Sequence, residues 1–228
     1  QGPVIGNVMG PWEAEAITFG FDIVPYDGVA TYRKAKAHFI EILKQNGGSY
    51  PQLAPVEVSA DRAHCKEVIL RGDDIDLTEF AFLQSNPADA GRYINTGSVF
   101  TKDPEMGMNF GTYRCQLRGP REIGINPEPN QTGWRMLMAA RERGDETARV
   151  SIALGQDPIV WMISGARIAG RARGGKEPID ELAIAGGFRG KPLEVIRSET
   201  NDILVPAQAE MIIEGEVNLT EWKPEGPF

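Results

Sequence analysis

From about residue 59 onward, glycine and proline cut the sequence into short apolar runs, and this punctuation constrains the fold more than any other feature. The runs 66–70, 94–101, 110–117, 122–126, 149–154, 193–197 and 209–219 read as β-like segments, at a spacing that suits a barrel or sandwich. Helical stretches interrupt them at 132–143, after Asp157-Pro158, and at 179–188. Residues 10–46 have a different texture and read as helical. Ala35, Phe39, Ile42 and Leu43 recur at helical spacing, while Arg33, Lys34, Lys36 and Lys44 take the other face. Gly47-Gly48 ends that helix, and the stretch from Pro51 to Pro55 stiffens the chain into a crossing. The expected class is α+β, with a boundary near residue 58 that divides the chain into 1–58 and 59–228.

Charge narrows the partners. Thirty-two acidic against 24 basic residues give a net charge of -8, which repels nucleic acid and anionic lipid. A carboxylate or phosphate ligand must then be held by locally placed cations, which directs attention to Arg114 and the 167–173 stretch. No run of about 18 apolar residues occurs, and Gln1-Gly-Pro-Val-Ile-Gly6 lacks the pattern of a secretory leader, so the expected location is cytoplasmic, with no membrane partner. Cys65 and Cys115 fit no metal-ligand spacing and are expected to be buried free thiols.

Read as one strand, Phe110-Gly-Thr-Tyr-Arg-Cys-Gln-Leu117 puts Tyr113, Cys115 and Leu117 on one face and Thr112, Arg114, Gln116 and Arg118 on the other. A guanidinium at Arg114 can hold a carboxylate through two parallel hydrogen bonds; the alternative is a solvated face with ordinary surface arginines. Asn109, at the end of Asp103-Pro-Glu-Met-Gly-Met-Asn109, reads as a turn residue. Ser164-Gly-Ala-Arg167, followed by Gly170, Gly174 and Gly175, can offer backbone groups to a phosphate but matches no nucleotide fingerprint, which leaves a flexible loop as the other reading. Glu181 follows Asp180 at a helix start, where acids favour the macrodipole. Glu225 lies in a turn-rich end that resembles a linker. His38 and His64 suit structural roles, and there is no Ser-His-Asp or Cys-His arrangement to argue for a hydrolase.

Taken in order, Gly72-Asp-Asp-Ile-Asp-Leu77, Tyr93-Ile-Asn-Thr-Gly-Ser98, Thr101-Lys-Asp-Pro104 and Asn109-Phe-Gly-Thr-Tyr-Arg114 resemble successive signatures of the UbiD-type decarboxylases. Ala153-Leu-Gly-Gln-Asp-Pro158, Asp180-Glu-Leu-Ala-Ile-Ala-Gly186, Glu199-Thr-Asn-Asp202, Val205-Pro-Ala207, Ala209-Glu210, Glu214-Gly215 and Glu225-Gly-Pro-Phe228 continue the series. The resemblance implies a split β-barrel related to flavin reductases over 59–228, preceded at 1–58 by part of an N-terminal α/β domain. Family members usually extend further at both ends, so it also implies a missing C-terminal domain or a partner subunit. Asn109 falls where the family places a ligand of the divalent metal, Mn²⁺ or Mg²⁺, that bridges to the flavin phosphate. Glu181 falls at the carboxylate ligand. The backbone around Phe110, with Gly111 and Thr112, and Ser164, Gly165 and Ala166 match the region that holds the phosphate and a nearby K⁺, while Gln131 and Thr132 fall in the segment where the family supplies a further metal ligand. Arg114 matches the active-site arginine, and Glu225 the first glutamate of the catalytic Glu-Arg-Glu set.

Two departures stand out. Thr132 occupies the place of the usual histidine metal ligand, and a hydroxyl is the weaker donor. The chain also ends at Phe228, before the family's second catalytic glutamate. The leading expectation is reversible decarboxylation of an aromatic, heteroaromatic or α,β-unsaturated acid with prenylated FMN. The cofactor would come from a flavin prenyltransferase, and the protein would act as a homo-oligomer. The alternatives are a non-catalytic or partner-dependent flavin- or ligand-binding subunit and an FMN-binding flavin reductase.

Overall fold

In the computed structural model, residues 7–166, 168 and 180–228 are described. Residues 1–6, most of the 167–173 stretch, Gly170, Gly174, Gly175 and the first residue of the helix expected at 179–188 lie outside them. The helical region 10–46 is two helices. α1 (Ala14–Phe19) stops at Gly20, whose φ of 74° is the left-handed closure that glycine supplies without steric cost. α2 (Gly28–Gln45) restarts where the Asp27 carboxylate accepts from the Ala30 N–H at 2.9 Å. Helical periodicity runs through the gap, but Gly20, Pro25 and Asp27 interrupt the backbone ladder.

Among the described residues ten strands follow: β1 (Val56–Glu57), β2 (Tyr93–Ile94), β3 (Ser98–Asp103), β4 (Gly107–Thr112), β5 (Cys115–Leu117), β6 (Ile123–Ile125), β7 (Thr147–Leu154), β8 (Glu194–Arg197), β9 (Leu204–Pro206) and β10 (Met211–Asn218). The helices among them are α3 (Thr132–Glu142), α4 (Pro158–Gly165) and α5 (Glu181–Arg189). Each of α4 and α5 begins as its sequence signal requires. Asp157 and Asp180 accept from first-turn N–H groups, and Pro158 occupies the first helical position.

The described strands make three sheets. Strands β10-β7-β3-β4 are antiparallel throughout, β2-β5-β6 form a second antiparallel sheet, and β1-β8-β9 form a small mixed one. Alternation in the four-stranded sheet builds two cores at once. Val99, Val150 and Ile152 face Ile94 and Cys115 of the second sheet, with Tyr113 from the turn before Cys115. Phe100, Phe110 and Ala153 face the opposite way, onto α4, α5 and the small sheet. Among the described residues the sheets do not close into a barrel, and β6 and β10 each end a sheet.

Three strand expectations are corrected. The 110–117 run is split between β4 and β5, which belong to different sheets, with Tyr113 and Arg114 at the corner. The 94–101 run is likewise split between β2 and β3 near Gly97, where a Cβ would come within 2.7 Å of Ile152. The 66–70 run is not a strand: Val68, Ile69 and Leu70 are exposed and find no pairing partner, so apolar content alone does not extend the backbone there. Cys115 is fully buried and Cys65 half-buried, and both are free thiols. His38 packs its ring edge-on against Phe21, 4.4 Å between centroids, as a structural residue does.

Candidate functional site

The corner between β4 and β5 turns Arg114 toward the end of the chain, 111 residues away. Its Nε donates to both Glu225 carboxylate oxygens, at 3.0 and 3.1 Å, and its Nη2 donates to Oε2 at 2.7 Å. The Asn126 amide, one residue past β6, adds a donor to Oε2 at 3.1 Å. Glu225 is thus surrounded by donors, with its side chain 9% exposed, while Arg114 remains 34% exposed. Hydrogen bonding to Glu225 is the main cause that holds the guanidinium above its usual pKa. Of the five N–H donors of a guanidinium, Glu225 takes two, and the remaining three meet no acceptor among the described residues. The Phe228 ring lies 5.0 Å from the guanidinium carbon and 4.6 Å from the Tyr93 ring.

The turn-rich end is therefore not a linker. The Pro227 carbonyl accepts from the Ala90 N–H at 2.8 Å and from the Tyr93 hydroxyl at 3.2 Å, and Arg118 donates to the Pro224 carbonyl. Although 110–117 is not one strand, its two faces keep their characters. Tyr113 and Cys115 are core residues, and Arg114, Gln116 and Arg118 converge on the 224–228 segment.

A second group forms at the start of α5. Asp180 caps that helix through the Leu182 and Ala183 N–H groups, which frees Glu181 for a different task. The Glu181 carboxylate accepts from the Phe110 N–H at 2.9 Å. Burial of the carboxyl, with the Asp180 charge adding and that N–H opposing, pushes its pKa up to about 7. Asn109 is a strand residue paired with Thr101, not a turn residue. It is 7% exposed, and its enclosed Nδ2 meets no acceptor. The Phe110 ring is stacked on Phe100 in the core, so only its backbone serves the site.

Two residues on from Phe110, the Thr112 hydroxyl lies 2.7 Å from that of Ser164, which in turn donates to the Trp161 carbonyl. Gln131 and Thr132 stand at the start of α3, with the Gln131 side chain accepting from the Glu128 N–H at 2.6 Å. Ala166 donates to the Ile163 carbonyl at the end of α4, where it and Gly165 are exposed. Gly111 gives the Tyr113 ring room to pass, since a Cβ there would lie 2.5 Å from the phenol oxygen. The structure thus joins Arg114 to Glu225, Phe110 to Glu181, and Thr112 to Ser164. Strand β4 and its corner connect the three groups.

Reading the residues alone passed over Asn126 and Tyr113. Neither has a local signal; Asn126 reads as the residue that ends a short apolar run before Pro127, and Tyr113 sits at a core position. Among the described residues no three His, Cys, Asp or Glu side chains gather closely enough to hold a metal ion unaided. A cavity of about 1120 Å³ lies between β6, α3 and β10 and reaches Asn126 and Glu225, but not Asn109 or Glu181. No helix of the described residues is long and apolar enough to cross a membrane.

A family model described as UbiD: 3-octaprenyl-4-hydroxybenzoate carboxy-lyase Rift-related domain matches residues 56–228. An uncharacterized protein of Archaeoglobus fulgidus is 35% identical over 191 residues, 83% of this chain and 37% of its own length. Among solved structures, the closed form of vanillic acid decarboxylase from Sedimentibacter hydroxybenzoicus aligns with 97% of this chain and 44% of its own, at TM-score 0.80 and 27% identity. The UbiD-class enzyme HmfF of Pelotomaculum thermopropionicum, in complex with FMN, aligns with 96% of this chain and 44% of its own, at TM-score 0.77 and 30% identity. An evolved dimeric form of HmfF in complex with prFMN gives TM-score 0.78 at 29% identity, over 96% of this chain and 46% of its own. The chain spans less than half the length of each of these relatives.

Proposed function

Because this chain belongs to the UbiD family, we propose that it is the flavin-binding part of a decarboxylase acting on an aromatic, heteroaromatic or α,β-unsaturated carboxylic acid with prenylated FMN. The observation that carries this reading is the Arg114–Glu225 clamp. A carboxylate fixes one edge of the guanidinium, and three N–H donors stay free for a second carboxylate, that of the substrate. Residues 59–228 would form the split barrel, with the four-stranded and three-stranded sheets facing each other across a shared core, and 1–58 would belong to a preceding α/β domain.

The donor set fits the cofactor's anchoring ion. Glu181 and Asn109 offer hard oxygen donors of the kind that Mn²⁺ or Mg²⁺ prefers. A carboxyl pushed up to about 7 by burial, with no ion pair among the described residues, is one whose charge a divalent cation would stabilise. The Thr112 and Ser164 hydroxyls and the backbone around Phe110 would face the phosphate, with K⁺ nearby. Gln131 and Thr132 would border it at the start of α3.

In the reaction, Arg114 binds and orients the substrate carboxylate while Glu225 holds the guanidinium charged and in place. Prenylated flavin, when bound, supplies the electron sink for the carbon from which CO₂ departs. The neighbouring Phe228 and Tyr93 rings partly exclude water beside the guanidinium, which strengthens its hold on a carboxylate. The rest of the protein or a partner subunit would supply the remaining proton-transfer group and the substrate pocket, in an oligomer. The Thr132 departure favours a second reading, in which the chain binds flavin without turning substrate over.

The test is CO₂ release from a panel of aryl and acrylic acids by protein co-produced with a flavin prenyltransferase. Turnover by the wild type that is lost in Arg114→Ala, with the fold retained, supports the proposal. Flavin bound without turnover of any acid supports the second reading, and turnover retained in Arg114→Ala refutes the role of this arginine.

A further inference from the structure

We propose that Tyr113 is a positioning residue for the phosphate end of the site: its hydroxyl caps α3 from the strand side and thereby fixes Gln131 and Thr132 relative to Asn109. The inference rests on the reading of Asn109 and Glu181 as the metal-and-phosphate end.

Helix α3 starts without a cap of its own. Gln131 makes no capping bond, because its side chain turns back to the Glu128 N–H. First-turn N–H groups still need acceptors. The one for Gly133 comes from 20 residues upstream, where its N–H donates to the Tyr113 hydroxyl at 3.2 Å.

That hydroxyl is held rigidly. Tyr113 is 4% exposed and packs among Ile94, Val99, Cys115, Val150 and Ile152. A Cβ on Gly111 would lie 2.5 Å from the phenol oxygen, and one on Gly133 would lie 2.4 Å from it. The strand and the helix therefore both carry glycine where the phenol passes between them, and only a residue without a side chain permits that approach. On the strand side, Asn109 stands two residues before Gly111 on β4, and its enclosed Nδ2 meets no partner. One hydroxyl thus lies between the strand that carries the orphaned amide and the start of α3. Without it, the helix start loses its reference to β4, and donors that must converge on one phosphate no longer share a frame.

The test measures Mn²⁺ affinity by titration calorimetry and FMN affinity by fluorescence quenching in wild type, Tyr113→Phe and Asn109→Ala, alongside Ile203→Val as a remote core control. We expect Tyr113→Phe to weaken both affinities about tenfold, or about 1.4 kcal/mol. Ile203→Val should leave them unchanged despite its own loss of stability. Gly133→Ala, whose methyl would push the phenol off the helix, provides a second route to the same loss should Tyr113→Phe fold poorly. If Asn109→Ala loses binding while Tyr113→Phe and Gly133→Ala bind as wild type does, the positioning role is overturned and the functional reading stands. If wild type binds neither probe, or Asn109→Ala changes nothing, the functional reading fails and takes this inference with it.

Discussion

Replacing Glu225 by glutamine tests the clamp with almost no change in shape. In the wild type three donors, Arg114 Nε and Nη2 and Asn126 Nδ2, converge on one carboxylate. Glutamine presents a single oxygen, so the three donors must share its two lone pairs while an NH₂ group replaces an oxygen that Arg114 Nε now contacts. Hydrogen bonds to a charged group are worth about 1.5–3 kcal/mol each when buried. Arg114 is 34% exposed and recovers part of its hydration, so the net loss of stability is smaller, about 1–2 kcal/mol. At about 2–4 °C per kcal/mol for a chain of this size, Tm should fall by about 2–8 °C. The effect on function is larger than that on stability. A guanidinium no longer fixed along one edge samples orientations unsuited to a carboxylate partner, and misplacement of that kind costs about a hundredfold in rate. Calorimetry on the unloaded protein gives the first quantity, and CO₂ release by the cofactor-loaded protein gives the second. Should Glu225→Gln keep both wild-type Tm and wild-type turnover, Glu225 does not orient Arg114 and the reasoning is wrong.

Two further outcomes follow from groups away from this clamp. Burial works against ionisation of Asp103, but the Met106 and Glu105 N–H groups and the Arg143 guanidinium, 2.7 Å away, outweigh it and hold the carboxyl below its usual range. Its contribution is therefore complete above the unfolded value of about 4 and disappears as pH falls through the lower folded value. Asp103→Asn should cost about 2 kcal/mol at pH 7 and flatten the acid limb of a urea-derived stability profile; an unchanged acid limb would argue against this. Burial pushes the Cys115 thiol up to about 12 and raises Cys65 less, so a disulfide reagent at pH 8 should label Cys115 only on unfolding and Cys65 slowly in the native state. Rapid native labelling of both would contradict the packing described.

Features settled within a few residues are readable along the chain. The Asp157-Pro158 and Asp180 helix starts and the stop after α2 are interactions between near neighbours, the two-faced character of 110–117 follows from alternation along the backbone, and the structure reproduces them. The family too was legible, because its signatures are short segments in a fixed order. Tertiary structure alone decided which segments meet. The pattern of 110–117 does not say that its halves serve different sheets, since alternation continues through a corner as readily as along a strand. The run at 66–70 has strand composition but lacks a neighbour to pair with. Glu225 reads as part of a linker until its four-bond contact with Arg114 and Asn126 is seen, and Glu181 reads as a helix cap until Phe110, 71 residues away, takes its carboxylate. Caps and periodicities are set by the energetics of one turn or one pleat. A long-range contact depends on the register of every sheet between its partners, and only the folded chain fixes that register.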